Sequence, residues 1–298
     1  MNNRQKEMNP LNPKKRRRRI RGGRFLAYLA VVYFAVGAAA LLAPLLKQDQ
    51  KLKDDAEEYD LLARQARRSV LSEEEPILSL TDPWGGDYAP PLTQATAVPA
   101  AMPEAVQADR PSVDLAALYA QNQDFVAWLE IPGTNVIHPV VSTDDPDYYL
   151  HHTFSGKESA VGTLFSLAAT DYHTPSQNIA VYGHHLRSSG EKMFTSLMRY
   201  KDPDFYAGHE TVYLDTLYRG GTYKIFAVVN MHSGEWNPAQ ADFSDDAAFL
   251  AFVRQAKAQA LYDTGVEVNM ADELLTLITC DRSYGGKSGR LVVMAVKQ

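Results

Sequence analysis

Eight short apolar segments follow one another between residues 126 and 296: VAWLEI, VIHPVV, GTLFSL, NIAVYG, TVYLDT, TYKIFAVVNM, LLTLITC and LVVMAV. Each is rich in β-branched and aromatic residues and too short for a typical helix. Breakers such as Pro132-Gly133 and Gly220-Gly221 stand between them. This many short strands with few helices between them restrict the chain to a mainly β fold, an eight-stranded closed or nearly closed barrel. One segment departs from the pattern. DDAAFLAFVRQAKAQALY, residues 245–262, sets Phe249, Leu250, Phe252, Val253, Ala256 and Leu261 largely on one stripe, with Asp245 and Asp246 at its positive end. It is a helix expected to pack on the barrel.

The compact domain is expected to span residues 112–298. It opens with a short helix over DLAALYAQN, for which Ser112 is the candidate N-cap. Seven prolines fall in residues 76–111, so that stretch reads as an extended linker. Residues 48–72 are highly charged and rich in Ala, Glu, Lys and Arg, which reads as a solvated helical stalk. Stalk and linker together make up residues 47–111.

Ahead of the stalk lies FLAYLAVVYFAVGAAALLAPLL, residues 25–46, which is 22 residues without a charge. A membrane-spanning helix needs roughly 20. Residues 1–24 hold ten of the 30 Lys/Arg against Glu7 alone, so the positive-inside rule keeps this tail cytoplasmic and puts the rest of the chain outside. The apolar run is longer than the roughly 7–15 residues of a signal-peptide core, which favours a retained single-pass anchor in the lipid bilayer. Beyond the tail, 20 basic residues face 35 acidic ones. So acidic a body argues against nucleic acid as a partner.

An exported chain usually pairs its cysteines, and this one has a single cysteine, Cys280, in TLITCDRSYGGKSGR. A buried core thiol is one reading, since free cysteine is among the most buried residue types. The other is a nucleophile. If LLTLITC and RLVVMAV pair antiparallel across the nine-residue loop between them, Cys280 comes to lie near Arg290. A guanidinium there favours the thiolate and can donate to an oxyanion. A thiol acting on an acyl group also needs an imidazole. Among eight histidines, His184 in NIAVYGHHLRSSG ends a strand and enters a Gly/Ser loop, the same setting as Cys280, with His185 as its nearest rival. Asp281 either orients His184 or caps the loop. Adjacent histidines aside, nothing has metal-ligand spacing.

From about residue 124 onward the chain resembles the sortases, membrane-anchored cysteine transpeptidases of Gram-positive bacteria, and class B most of all. DFVAWLEIPGTNVIHPVV and DYYLHHTFSGKES resemble that class's opening strands. AVYGHH, TLITC and GRLVVMAV match the strands that carry its histidine, cysteine and arginine, and the 245–262 helix stands where class B has one. The resemblance implies that Cys280 attacks the threonine carbonyl of a C-terminal sorting motif, of LPXTG or NPXTN type, in a secreted protein. Arg290 would stabilise the oxyanion and His184 would protonate the leaving amine. An amine of peptidoglycan or of a pilin subunit would then resolve the thioacyl enzyme, with no metal or cofactor. Ile278, Thr279, Tyr182 and Leu150 are the expected peptide contacts. Class B often has Ser where this chain has Ile278, which implies an apolar contact there. TDPWGGDY resembles the lid of pilin-polymerising class C enzymes, in which Asp82 would pair with Arg290 and Trp84 would cover Cys280; a proline turn in the linker is the reading preferred for it. Two other readings compete. An L,D-transpeptidase would place an arginine at Arg282, but TLIT lacks the glycine expected before the cysteine. The other is a membrane-tethered binding module with an inert thiol.

Overall fold

The computed structural model describes residues 22–73, 112–186 and 192–298. The basic tail through residue 21, the 76–111 linker and the Asp82–Trp84 lid lie outside the described residues. The chain forms two compact units, Met1–Gln48 and Asp49–Gln298. Helix α1 is Gly22–Glu73 and includes Pro44. In the first unit its described large apolar side chains are exposed, Tyr33 at 78%, Phe34 at 74% and Leu41 at 75%. Side chains at 22–32 lie outside the described residues, and among the described residues no helix is long and apolar enough to cross a membrane.

The second unit is a closed eight-stranded barrel in the order β1-β2-β3-β4-β7-β8-β6-β5. The strands are β1 Phe125–Glu130, β2 Ile137–Thr143, β3 Leu164–Leu167, β4 Asn178–Tyr182, β5 Thr211–Thr216, β6 Gly220–His232, β7 Leu274–Cys280 and β8 Gly289–Lys297. All eight segments expected from the sequence are strands. Closure comes from β1 pairing with β5, which leaves no open edge. Two neighbouring pairs are parallel, β2–β3 and β4–β7, so each needs a crossover. The β4-to-β7 crossover holds β5, β6 and helix α4, Asp246–Gln259, which Asp245 caps through Oδ1 to the Ala248 N–H at 2.8 Å.

Strand alternation divides the apolar residues of β7 and β8 between two clusters. Leu275, Leu277, Leu291, Val293 and Ala295 join the larger core. Leu274, Ile278, Val292, Met294 and Val296 join a second cluster with Phe249, Phe252, Val253 and Ala256 of α4. The strands here are apolar on both faces because both faces are covered.

Three expectations need correction. The segment expected as a solvated stalk is helical, but from Asp49 it belongs to the barrel unit, with Leu52, Tyr59, Leu62 and Ala66 buried. Their spacing of 7, 3 and 4 is one helical face, diluted among charges that occupy the other faces. The cap of helix α2, Leu115–Gln121, is Asp114 rather than Ser112, with Oδ1 accepting from the Ala117 N–H at 2.8 Å. The β7–β8 connection, expected as a nine-residue loop, contains the short helix α5, Arg282–Gly285. Helix α3, Pro203–Ala207, follows a 3-10 turn at Phe194–Lys201.

Candidate active site

The site is set by strand register. In the parallel β4–β7 pair Tyr182 stands beside Ile278, and Gly183 N–H donates to the Ile278 carbonyl at 3.2 Å, which carries the pairing one residue further. His184, two past Tyr182, therefore comes level with Cys280, two past Ile278. On the other side, the antiparallel β7–β8 register sets Cys280 directly opposite Arg290. Adjacent strands lie about 4.8 Å apart, so the residues carrying imidazole, thiol and guanidinium stand abreast, Cys280 and Arg290 on β7 and β8 and His184 two residues past the end of β4. They line one cleft of about 320 Å³.

All seven residues singled out from the sequence line it: Leu150, Tyr182, His184, Ile278, Thr279, Cys280 and Arg290. Pro146, Phe165, Leu167 and Gly183 line it too, and sequence reasoning missed them. Phe165 pairs with Tyr182 across β3–β4, their rings stacked at 5.4 Å. No local signal at Phe165 distinguishes it from the other apolar strand residues. Cys280 is half-buried at a strand end, which disposes of the core-thiol reading.

Each polar group is held in a definite way. His184 Nε2 lies 2.9 Å from the Leu150 carbonyl oxygen. A carbonyl only accepts, so Nε2 carries a hydrogen in either charge state and Nδ1 is the nitrogen that gains or loses the proton. Burial lowers the His184 pKa from its ordinary value of 6.5; the Leu150 carbonyl pulls the other way, and the charges of His151 and Arg282 add to the lowering. His185, the rival imidazole, donates through Nδ1 to the backbone carbonyl of Cys280 at 3.1 Å and is tied to the main chain. Arg290 uses only Nη1 internally, to the carbonyls of Lys287 at 3.0 Å and Gly289 at 2.9 Å. The rest of its fork carries no hydrogen bond among the described residues. Burial raises the Tyr182 phenol pKa, against the opposing charge of Arg290.

Thr279 reaches the cleft with its hydroxyl already engaged, donating to the Gly183 carbonyl at 2.8 Å. It fixes the turn that carries His184. Gly183 has to lack a side chain, since a Cβ there would collide with Leu164 and stand 2.7 Å from Phe194 Cδ2. Asp281 does not orient His184. It is fully buried, caps α5 by accepting from the Ser283 and Tyr284 N–H groups, and ion-pairs with Lys201. Burial alone would raise its pKa, but Lys201 and Ser283 outweigh that and hold the carboxyl below its usual range. Among the described residues, no group of three or more His, Cys, Asp or Glu is arranged to hold a metal ion.

A half-buried thiol with an imidazole and a guanidinium abreast of it, on an eight-stranded barrel, defines a cysteine acyl-transfer enzyme. Residues 129–298 match the Sortase domain family, and the chain belongs to that family of cysteine transpeptidases. Its relatives are those of class B. Sortase B of Listeria monocytogenes is 29% identical over 180 residues, 60% of this chain and 72% of the relative. The crystal structure of a Bacillus anthracis protein similar to sortase B is 31% identical, with a TM-score of 0.56 over 63% of this chain and 84% of that one. The Staphylococcus aureus sortase B–substrate complex shares the fold at 22% identity, with a TM-score of 0.64 over 83% of this chain and 97% of that one. The family match does not favour an L,D-transpeptidase or an inert binding module.

Proposed function

We infer that the chain cleaves a C-terminal sorting motif of secreted proteins and passes the acyl group to an amine of peptidoglycan or of a pilin subunit. The observation that carries this reading is the register that lines up His184, Cys280 and Arg290 at one cleft. The Cys280 thiol passes its proton to His184 Nδ1 as Sγ attacks the threonine carbonyl carbon, and the oxygen becomes an anion facing the unengaged donors of Arg290. As the C–N bond breaks, the proton on His184 Nδ1 goes to the departing amine. That leaves a thioester on Cys280 and a neutral imidazole. The same nitrogen takes a proton from the incoming amine, and the amide re-forms on the acceptor. A sorting peptide of LPXTG or NPXTN type fits a cleft walled by Phe165, Leu167, Tyr182 and Ile278, with Leu150 beside the histidine. The relative solved with its substrate is a sortase B.

The reading includes a location. Residues 25–46 anchor the chain in the bilayer, the basic tail stays cytoplasmic and the barrel works outside. Lipid would cover the exposed Tyr33, Phe34, Leu41 and Leu46. Mass spectrometry of a sorting-peptide panel, with and without candidate amines, tests the activity. Cleavage with amine-dependent ligation, absent in Cys280→Ala, is expected. An active Cys280→Ala chain ends the reading. Flotation of the full chain with liposomes, lost when 25–46 is removed, tests the anchor.

A further inference from the structure

The hydrogen bond that orients His184 comes from residues 149–163, and that segment is gripped by helix α1. Three α1 side chains at helical spacing, Asp55, Glu58 and Tyr59, point to it from one face. Tyr59 is 2% exposed. Its hydroxyl lies 2.6 Å from the Gly162 carbonyl oxygen and 2.9 Å from Thr163 Oγ1, and accepts from the Phe154 N–H at 3.2 Å. Asp55 accepts from Ser159 Oγ at 2.6 Å, and Glu58 from Ser155 Oγ at 2.7 Å and Lys157 Nζ at 3.2 Å.

The gripped residues lead to the imidazole in two ways. Thr163 N–H donates to the Tyr149 carbonyl at 2.9 Å, and the Thr163 hydroxyl to the His152 carbonyl at 2.9 Å, which bracket Leu150 and its carbonyl. Gly162, with φ of +66°, packs so closely that a Cβ would lie 2.9 Å from the Leu150 oxygen and 3.2 Å from His184 Cδ2. Any shift of Gly162 is therefore felt at both partners of the orienting bond. Buried polar contacts of this kind hold a geometry more narrowly than apolar packing does, because a displaced partner is left unsatisfied.

We propose that Tyr59 is a positioning residue for the reaction, with Asp55 and Glu58 in support: the membrane-proximal helix clamps residues 149–163 so that the Leu150 carbonyl holds His184 with Nε2 protonated and Nδ1 toward the chemistry. This rests on His184 acting at Cys280 as argued above. The helix is then part of the catalytic unit, and undocking it slows turnover without touching the thiol, the imidazole or the guanidinium.

The test uses the full chain and two readouts, peptide-cleavage kinetics and the His184 tautomer from ring 15N shifts. Tyr59→Phe keeps the ring in place and removes the hydroxyl. It is expected to lower kcat roughly tenfold with KM little changed, as a fraction-of-an-ångström misplacement does, and to convert a single Nε2–H tautomer into a mixture. Arg67→Gln is the control, because Arg67 ties the same helix to Glu130 of β1 at 3.1 Å and does not reach residues 149–163. It should leave both readouts as in the parent. An unchanged kcat and tautomer in Tyr59→Phe overturns the proposal, and so does an equal change in Arg67→Gln, which would mean general loosening of the helix. A parent chain that cleaves no sorting peptide defeats the functional reading instead, and the tautomer measurement still reports on the clamp.

Discussion

Cys280 and Arg290 are direct partners across the β7–β8 ladder, with Ile278 and Val292 the next pair on the same face. Register fixes where the two backbones stand, and the Lys287 and Gly289 carbonyls hold Nη1 of the guanidinium. Preorganised donors of this kind need no rearrangement as charge develops on the attacked carbonyl.

Arg290→Ala should lower kcat by about 10²–10³ with a smaller change in KM, the loss usual for an oxyanion donor. Arg290→Lys should recover only part, since an ammonium lacks the planar fork. Steady-state cleavage of a sorting peptide measures both. A parental kcat in Arg290→Ala would take the guanidinium out of the chemistry.

Ile278 is 5% exposed, packs with the α4 cluster and lines the cleft. Ile278→Ser should raise KM for sorting peptides and change their ranking, because an apolar contact becomes a hydroxyl. It should also cost about 1–3 kcal/mol of stability from lost burial and an unpaired hydroxyl. Identical turnover of every peptide by variant and parent would show that the side chain does not touch substrate.

His184 should titrate below 6.5, because burial opposes its charge. Its charged form should grow only at lower pH than in a free imidazole, as pH falls through the lowered pKa. NMR titration of the ring in Cys280→Ala avoids the coupling between the two groups. A midpoint above 6.5 would mean that local charge outweighs burial.

His138 lies on β2, 3% exposed, with its ring edge-on to Tyr59 at 5.3 Å. Burial and the charge of Lys192 lower its pKa to about 4, against the pull of Asp60. The folded state thus binds this proton less readily than the unfolded chain. The stability this contributes is whole above about 6.5 and is lost as pH falls towards 4, about 3 kcal/mol in all. Urea unfolding at pH 7 and pH 4.5 should show the decline, and His138→Gln should flatten it. Equal pH dependence in the two proteins would place the acid sensitivity elsewhere.

Gly183→Ala should cut activity without unfolding the barrel. The added methyl meets Leu164 and Phe194 and pushes the His184 turn outward. Circular dichroism should stay parental while kcat falls. A fully active variant would show that this turn has slack.

Much of this was legible in the chain alone, and unevenly so. The eight strands and the α4 helix could be read because period 2 and period 3.6 are local properties of the sequence. Cys280 near Arg290 could be read because one short connection joins their strands. The buried face of α1 escaped notice because Leu52, Tyr59, Leu62 and Ala66 are spread thinly among charges. Asp281 stood open between two roles until its partner Lys201 came from 80 residues away.

Local pattern thus determined the strands, the long helix and the lone thiol with its arginine, since each depends on residues within one turn or one hairpin. The level of His184 with Cys280, the closure of β1 on β5, the Phe165 wall and the docking of Tyr59 beneath the histidine's loop were decided only in three dimensions. Most of them join residues about 100 positions apart, and all rest on strand pairing or side-chain packing that leaves no period in the sequence.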